Sequence, residues 1–277
     1  MKRLPRHYAA ARRSYASEIT AAFHDFAGSF EQWRLWSILA FNDIAQRYRG
    51  SILGPFWITL YTAAFVAGIG IVYGQLMHVP TEKYIPWMAA GVVIWNTIAA
   101  TVNDGGDTFI SGSQLIRQTS IPLPLFLWRV IFRNIINFAH QIVVILGVAL
   151  WFHFIMRMNI PEAFAGFVLV FFNLSWIALF AAVVSARFRD LQQVITTIMQ
   201  LMFFISPVLW IPSEVSTTSR LNAINPFAHM LAVIRAPLLG MGFPLESAAY
   251  LLVMGVAGWA VTFMVYAFVR RRIVHYL

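Results

Sequence analysis

AFAGFVLVFFNLSWIALFAAVVSA, residues 163–186, is a stretch without a single charged side chain. A helix rises about 1.5 Å per residue, so roughly 20 apolar residues cross the ~30 Å hydrocarbon layer of a bilayer. Helices also satisfy their own backbone groups, which a bilayer demands. Five other uncharged stretches are long enough, at residues 50–81, 84–103, 134–156, 191–213 and 247–269. The sequence predicts an all-α integral membrane protein with six transmembrane helices.

The composition of the 277-residue chain excludes most soluble classes of protein, because 60% of its residues are hydrophobic and only 11% are charged. No cysteine is present, so disulfides, thiolate metal sites and a cysteine nucleophile are excluded. A formal net charge of +9 is common in nucleic-acid-binding proteins, but here the basic residues are scattered among apolar segments. We therefore expect the chain to lie among membrane lipids and not to bind nucleic acid.

The distribution of basic residues predicts the orientation. Six spans put both termini on one side, and all but four of the 20 Lys and Arg residues fall on that side. By the positive-inside rule both termini are cytoplasmic, and only Lys83, Arg157, Arg220 and Arg235 face outward. Residues 1–50 contain no hydrophobic run, so the first span is expected to act as an uncleaved insertion signal. We place the spans at about residues 54–77, 85–103, 125–155, 162–186, 191–212 and 247–269.

Two segments precede the first span. Residues 1–28 are basic, small and polar, and we interpret them as a cytoplasmic tail. Residues 29–50 have aromatic and aliphatic side chains at helical spacing, a capping box at Ser29 and Gln32, and Gly50 at the end. This pattern predicts that residues 29–50 form an amphipathic helix in the membrane interface. The six-span domain then comprises residues 51–277. A helix packed on another cytoplasmic subunit is the alternative.

Two connections between the spans stand out. Residues 104–124 form a cytoplasmic loop with glycines and prolines around a short piece that can be helical, and loops of this length are usually functional or disordered. Residues 213–246 form the long periplasmic segment, in which Asn225-Pro226 can start a helix that reaches about Arg235. Because this apolar segment is too short to cross the bilayer, we predict a re-entrant or interfacial pair of helices.

Enzyme chemistry has little support in the sequence. Asn103, Asp104 and Asp107 resemble the diphosphate-binding motif of membrane prenyltransferases, but a second aspartate-rich segment is missing and a polar turn explains the run more simply. The histidines show no zinc-site spacing. Neither Lys2 nor Lys83 follows a glycine, so there is no phosphate-binding loop, and any ATP must be hydrolysed by a second polypeptide.

Several short motifs occupy fixed places relative to the spans. RYRGSILGPFW enters the first span at residues 47–57, and LIR at 115–117 precedes IPLP at 121–124. RFRDL follows at 187–191, SPV at 206–208 and NPF at 225–227. In order and spacing, from about residue 30 to the end, these motifs resemble the permease subunits of ABC exporters that move lipid-linked polysaccharides such as O-antigen, capsule or teichoic acid chains.

This resemblance implies a homodimer in the bacterial inner membrane, with a channel between twelve spans. It implies two copies of a separate ATPase that bind ATP and Mg²⁺, so that this chain holds no cofactor and no metal. Residues 214–243 would form short periplasmic gate helices, with Asn225, Pro226 and Phe227 in the gate. The coupling helix that docks on the ATPase would lie between Ser113 and Thr119, and its contact residues would be Ser113, Gln114, Leu115, Ile116 and Arg117.

A channel for a long glycan needs aromatic platforms, because sugars present apolar C–H faces as well as hydroxyl groups. Trp57, Tyr61 and Phe65 repeat at four-residue spacing in the first span, and Trp95 lies two turns after Trp87 in the second. We predict that Trp57, Tyr61, Phe65 and Trp95 line the channel. Lipid-facing side chains and the interfacial aromatic belt are the alternative explanation.

A lipid diphosphate anchor needs cations at the level of the cytoplasmic headgroups. Arg47, Arg49, Arg129 and Arg133 fall at that level and are our candidates, although positive-inside orientation explains the same residues. Two other functions compete with polysaccharide export. One is an ABC permease for a drug or small lipid, and the other is a prenyltransferase-like enzyme that acts on polyprenyl diphosphates.

Overall fold

The computed structural model describes residues 15–76, 79–212 and 219–277. The start of the predicted tail, the end of the first predicted span and the start of the predicted re-entrant segment lie outside these ranges. Within them the chain is helical and has no strand. The helices are α1 (Tyr15–Glu31), α2 (Trp33–Arg47), α3 (Phe56–Leu76), α4 (Thr81–Ser111), α5 (Ser113–Gln118), α6 (Pro124–Trp151), α7 (Ile160–Arg187), α8 (Leu191–Ile205), α9 (Ser219–Ile224), α10 (Pro226–Leu238) and α11 (Leu245–Tyr276), with a 3-10 turn at Ile155–Arg157.

Five helices of the described chain, namely α3, α4, α6, α7 and α11, are long and apolar enough to cross a membrane. The chain is therefore a multi-pass integral membrane protein. Helix α4 is the central one and packs against α3, α6, α7 and α8. Small residues permit these contacts: a Cβ atom on Gly105 would lie 2.6 Å from the Cα atom of Ala178 in α7. Helix α3, in contrast, is mostly exposed along its length.

The structure corrects the start of the predicted loop at residues 104–124. Helix α4 continues through Gly105 and Gly106 and ends only at Ser111. A turn was expected from these two glycines, but their missing side chains instead leave room for α7 and for Gln192 of α8. The remaining connection consists of α5 and a short segment that ends at the proline of α6.

One end of the bundle gathers α1, α2, α5 and the last turns of α11. Here Ile116 of α5 shares a hydrophobic cluster with Phe126 of α6, Ala186 of α7 and Ile273 of α11. Arginines concentrate at this level, and we call it the basic end. The other end of the bundle, where α4 and α11 begin, is called the opposite end. The described arginines at the basic end are Arg34, Arg47, Arg49, Arg117, Arg129, Arg133, Arg187, Arg189, Arg270, Arg271 and Arg272.

The prediction of a tail at residues 1–28 is wrong for the part that the structure describes, because residues 15–28 belong to helix α1 and pack against the bundle. Phe26 lies against the rings of Trp259 and Tyr266 in α11, with centroid distances of 5.8 and 5.4 Å. Ser29 lies inside α1 and donates to the Phe26 carbonyl at 2.7 Å, so the predicted capping box does not form. The spacing of Ile19, Ala22 and Phe26 was the helical signal for this segment.

Helix α8 is shorter than the span predicted at residues 191–212. It has 15 residues, which cover only about 22 Å at the usual rise. Pro207 lacks an amide hydrogen, so the helical hydrogen-bond ladder stops near Ser206. The chain nevertheless runs along α4: Gln192 contacts Asn103 near the basic end, and the carbonyl of Leu209 contacts Tyr84 near the opposite end.

Candidate functional site

A groove of about 390 Å³ lies between α3, α4 and α8. Helices α3 and α8 both pack on α4 and form the two walls, while α4 forms the floor. We refer to this feature as the groove. Its lining residues are Tyr61, Phe65, Val92, Trp95, Asn96, Ala99, Asn103, Thr196, Met199, Gln200, Phe203 and Phe204.

Three of the four predicted channel aromatics line the groove. Tyr61 and Phe65 lie on the α3 wall with their ring centroids 6.3 Å apart, and Trp95 lies on the floor. Trp57 is one turn nearer the basic end, is half exposed, and is not among the lining residues. The sequence reading missed Phe203 and Phe204 of α8. Phe203 and Phe204 follow Thr196 by seven and eight residues and follow Gln200 by three and four. This helical spacing places all four residues on one face of α8 and was the available signal.

Amide side chains are the second component of the groove. The Nδ2 atom of Asn96 donates to Oε1 of Gln141 in α6 at 2.9 Å. At the basic end of the groove, Asn103 accepts from the Thr196 hydroxyl at 3.2 Å. Gln200 completes the polar part of the lining. Groups of this kind exchange hydrogen bonds with hydroxyl groups and carry no charge, so they can bind a sugar without holding it strongly.

One residue that lines the groove contacts the predicted gate. Trp95 contacts Phe203 of α8 and Phe227 of α10, with ring centroids 5.9 and 5.7 Å away. Asn225 caps α10 by accepting from the Phe227 amide at 2.9 Å, as the Asn-Pro pair in the sequence predicted. Its Nδ2 atom also donates to the hydroxyl of Ser206 at 2.9 Å. The structure therefore brings a predicted channel residue and the predicted gate residues together.

Two of the predicted anchor arginines already have carboxylate partners. Arg129 binds Asp43 of α2 with two nitrogen atoms, and Arg133 donates to the same carboxylate at 2.8 Å. Arg133 also pairs with Asp104 of α4 at 2.8 Å. This cluster ties α2 to α4 and α6. Arg47, which ends α2, is exposed, and so is Arg49 in the turn that follows.

The aspartates of the Asn103-Asp104-x-x-Asp107 run lie within helix α4 rather than in a turn. Asp104 accepts from Asn134 at 3.0 Å in addition to its pair with Arg133. Among the described residues, no group of three His, Asp or Glu side chains is placed to hold a metal ion. The structure thus gives Asp104 a role in joining α4 to α6.

The predicted coupling residues form α5, but they point in different directions. Ile116 is buried in the hydrophobic cluster of the basic end, and Leu115 is half buried against it. Ile116 therefore anchors α5 to the bundle, and its side chain is not exposed for the predicted contact with the ATPase. Gln114 and Arg117 are exposed, and Ser113 is half exposed.

Comparisons with known proteins agree with this architecture. Residues 34–239 match the model of the ABC-2 type transporter family. The chain is 27% identical over 210 residues to the O-antigen export system permease protein RfbA of Myxococcus xanthus, and 24% identical over 201 residues to the protein of the same name from Klebsiella pneumoniae. Each match covers 70% of this chain and 76% of the relative. The chain therefore belongs to the ABC-2 type transporter family and is a transport subunit that works with an ATPase, not an enzyme.

Proposed function

We propose that this chain is the permease of an exporter that moves a lipid-linked, O-antigen-like polysaccharide across the bacterial inner membrane. The names of the similar proteins support this substrate class. The observation that carries the proposal is the groove, in which aromatic rings lie beside uncharged amides and none of the described residues contributes a charged side chain. Such a surface lets a polar polymer slide, because each contact is weak and replaceable.

The same proposal assigns a topology. The basic end is cytoplasmic under the positive-inside rule, and the opposite end is periplasmic. Helix α8 together with residues 206–212 makes the sixth crossing, because it runs from the level of Asn103 to the level of Tyr84. Irregular backbone is tolerated there since protein surrounds it. Helices α9 and α10 are the short re-entrant gate helices.

A homodimer completes the channel in this proposal. Both walls of the groove carry large apolar side chains that the single chain leaves exposed, among them Trp57 and Leu60 of α3 and Leu201 of α8. A second copy would cover these faces and close the groove into a conduit. Two ATPase subunits would bind ATP and Mg²⁺ and push on the exposed face of α5 at Gln114 and Arg117.

The lipid diphosphate is proposed to enter at the cytoplasmic headgroup level. Arg47 and Arg49 are the favoured cations there, because both are exposed beside the start of α3. Arg129 and Arg133 could bind the diphosphate only after their ion pairs with Asp43 were broken, so they are the less favoured candidates. Replacing Arg49 with Gln should reduce export while the ATPase still assembles with the permease.

The direct test is replacement of Trp57, Tyr61, Phe65 and Trp95 with alanine in the complete permease–ATPase complex. We expect export of the polysaccharide to fall by at least about tenfold, since each lost aromatic contact removes about 0.5 to 1.5 kcal/mol. Export is measured as surface polysaccharide in cells whose own permease is deleted. The control is Trp151→Ala, which removes an exposed ring from α6, away from the groove. Unchanged export with all four rings removed would refute the proposal.

A further inference from the structure

Arg235 of α10 is a buried cation at the opposite end of the bundle. Only 2% of its surface is exposed. Its guanidinium lies 3.5 Å from the centroid of the Trp87 ring and donates from Nη1 to the Pro207 carbonyl at 2.7 Å. Within the described ranges, no Asp or Glu forms an ion pair with it. Burial of a charge without a counterion is costly. The contacts with the Trp87 ring and the Pro207 carbonyl must therefore stabilise the buried guanidinium.

The Pro207 carbonyl belongs to the unwound segment that follows α8. Side chains from α4 and α10 each donate a hydrogen bond to a different polar group of this segment. Asn225 binds the Ser206 hydroxyl, and Arg235 binds the Pro207 carbonyl. On the α4 side, the Tyr84 hydroxyl donates to the Leu209 carbonyl at 2.6 Å, and Trp87 Nε1 donates to the Trp210 carbonyl at 3.2 Å. The segment is therefore held between α4 and α10.

Trp87 connects these contacts, because it binds the segment through its nitrogen and supports Arg235 with its ring. We call Trp87, Arg235 and the Pro207 carbonyl the clasp. Gly91, one turn further along α4, provides the room: a Cβ atom there would lie 3.1 Å from Nη1 of Arg235 and 2.9 Å from the Val208 carbonyl. The lining of the groove on α4 begins at the next residue, Val92. The clasp thus lies on α4 directly beyond the last residue of that helix that lines the groove.

We propose that Arg235 is a positioning residue that holds the groove closed at its periplasmic end between transport events. This inference rests on the proposed function in one respect, namely that the groove is the conduit. In the closed state the guanidinium holds the unwound segment against α4. For a polymer to pass, α10 and the segment must separate, and the contact between Arg235 and the Pro207 carbonyl must break. A side chain without the charge would shift the balance toward the open state.

The absence of native cysteine permits a direct test in the full permease–ATPase complex. A single cysteine at Ala99, which lines the groove, is labelled in spheroplasts with a membrane-impermeant maleimide, without added substrate. We expect slow labelling in the chain that retains Arg235. Arg235→Met keeps the length of the side chain but removes the charge, and should raise the labelling rate by about tenfold to a hundredfold, the range that corresponds to loss of one charge-assisted hydrogen bond.

Two matched comparisons separate the clasp from general loosening. Arg157→Met removes an exposed arginine at the same end and should leave the labelling rate unchanged. Trp87→Phe keeps a ring under position 235 and should label more slowly than Trp87→Leu, which does not. If Arg235→Met fails to assemble with the ATPase, the Trp87 pair decides the question. Equal labelling rates in assembled Arg235→Met and its parent, or equal rates in the Trp87 pair, would overturn the assignment.

Failure of this inference can be told from failure of the proposed function. The labelling rate depends on access to the groove and needs no polysaccharide. Faster labelling in Arg235→Met would support the clasp even if the four-alanine variant exported polysaccharide normally. Conversely, loss of export in the four-alanine variant with unchanged labelling in Arg235→Met would keep the conduit and remove the clasp.

Discussion

The two ends of the helix bundle are held together by different chemistry. At the basic end, Asp43 and Asp104 join α2, α4 and α6 through arginines, and Asp25 of α1 pairs with Arg270 of α11. At the opposite end, the segment after α8 is held by side chains that bind backbone carbonyls. Separating a buried ion pair leaves two uncompensated charges, whereas a freed carbonyl can accept a hydrogen bond from water or another donor.

This difference assigns different mechanical roles to the two ends. In the function that we propose, the ATPase pushes on the basic end, which must then transmit force without deforming. A charge network between three helices resists deformation. In the same proposal the polymer leaves through the opposite end, which must open. The neutral hydrogen bonds to carbonyls there can be exchanged at small cost, so the charge-assisted bond of Arg235 is the main one that has to break. The variants below test whether the basic end is the more rigid one.

The largest effect on stability is expected from Asp43→Ala. Its removal leaves Arg129 and Arg133 without their shared carboxylate, and loss of one partner of a buried pair costs about 3 to 5 kcal/mol. Asp43 and Arg133 have only 12% and 14% of their side-chain surfaces exposed, so solvent screens them weakly. The thermal unfolding midpoint of the purified permease should fall clearly. Asp190 is an exposed aspartate at the same end, so Asp190→Ala should leave the unfolding midpoint unchanged. An equal drop in both variants would contradict the claim that the Asp43 network stabilises this end.

An intermediate effect is expected at the opposite end, where α7 and α10 touch through a glycine. A Cβ atom on Gly166 would lie 2.1 Å from the Val233 carbonyl. Gly166→Ala should therefore push α10 away and cost about 1 to 3 kcal/mol, the usual effect of overpacking. Gly147→Ala is the matched control, since it is also in a helix, but no described atom outside the adjoining backbone of that helix lies within 4 Å of the added carbon.

The outcome for the glycine pair sharpens the comparison of the two ends. If Gly166→Ala also raises the labelling of a groove cysteine, then α10 controls access from the opposite end as a unit. A smaller effect on stability than that of Gly147→Ala would show that the α7–α10 contact is already loose, and would weaken the distinction drawn between the ends.

The uncharged runs were sufficient to predict most of the fold. Apolar length alone predicts a spanning helix, and five of the six predicted spans correspond to long helices. The Asn225-Pro226 pair marked the start of α10 because both the cap and the proline act locally. Where the structure departs from the sequence reading, a distant partner decides. Gly105 continues a helix because Ala178 packs on it, and α1 is held to α11 through Phe26.

The candidate site was predictable only in part for the same reason. The periodicity of α3 grouped Tyr61 with Phe65, and both line the groove. Periodicity does not tell which helix forms the facing wall, so Phe203 was missed. The charge of Arg129 and its level in the bundle could be read from the sequence, but its partner Asp43 lies 86 positions away. Long-range pairing of this kind has no local signal.

The smallest effect is expected from Arg271→Gln at the margin of the basic end. Arg271 pairs with Glu18 of α1 at 3.0 Å, but 52% of its side chain is exposed. Exposed pairs contribute about 0.2 to 1 kcal/mol, and salt screens them. The shift in the thermal unfolding midpoint should be small and should vanish at about 1 M salt, where the Debye length is near 3 Å. Asp43→Ala should keep most of its effect at that salt concentration, because protein covers its cluster. If both variants lost their effects equally, the basic end would be held by surface electrostatics, and its rigidity under the ATPase would need another source.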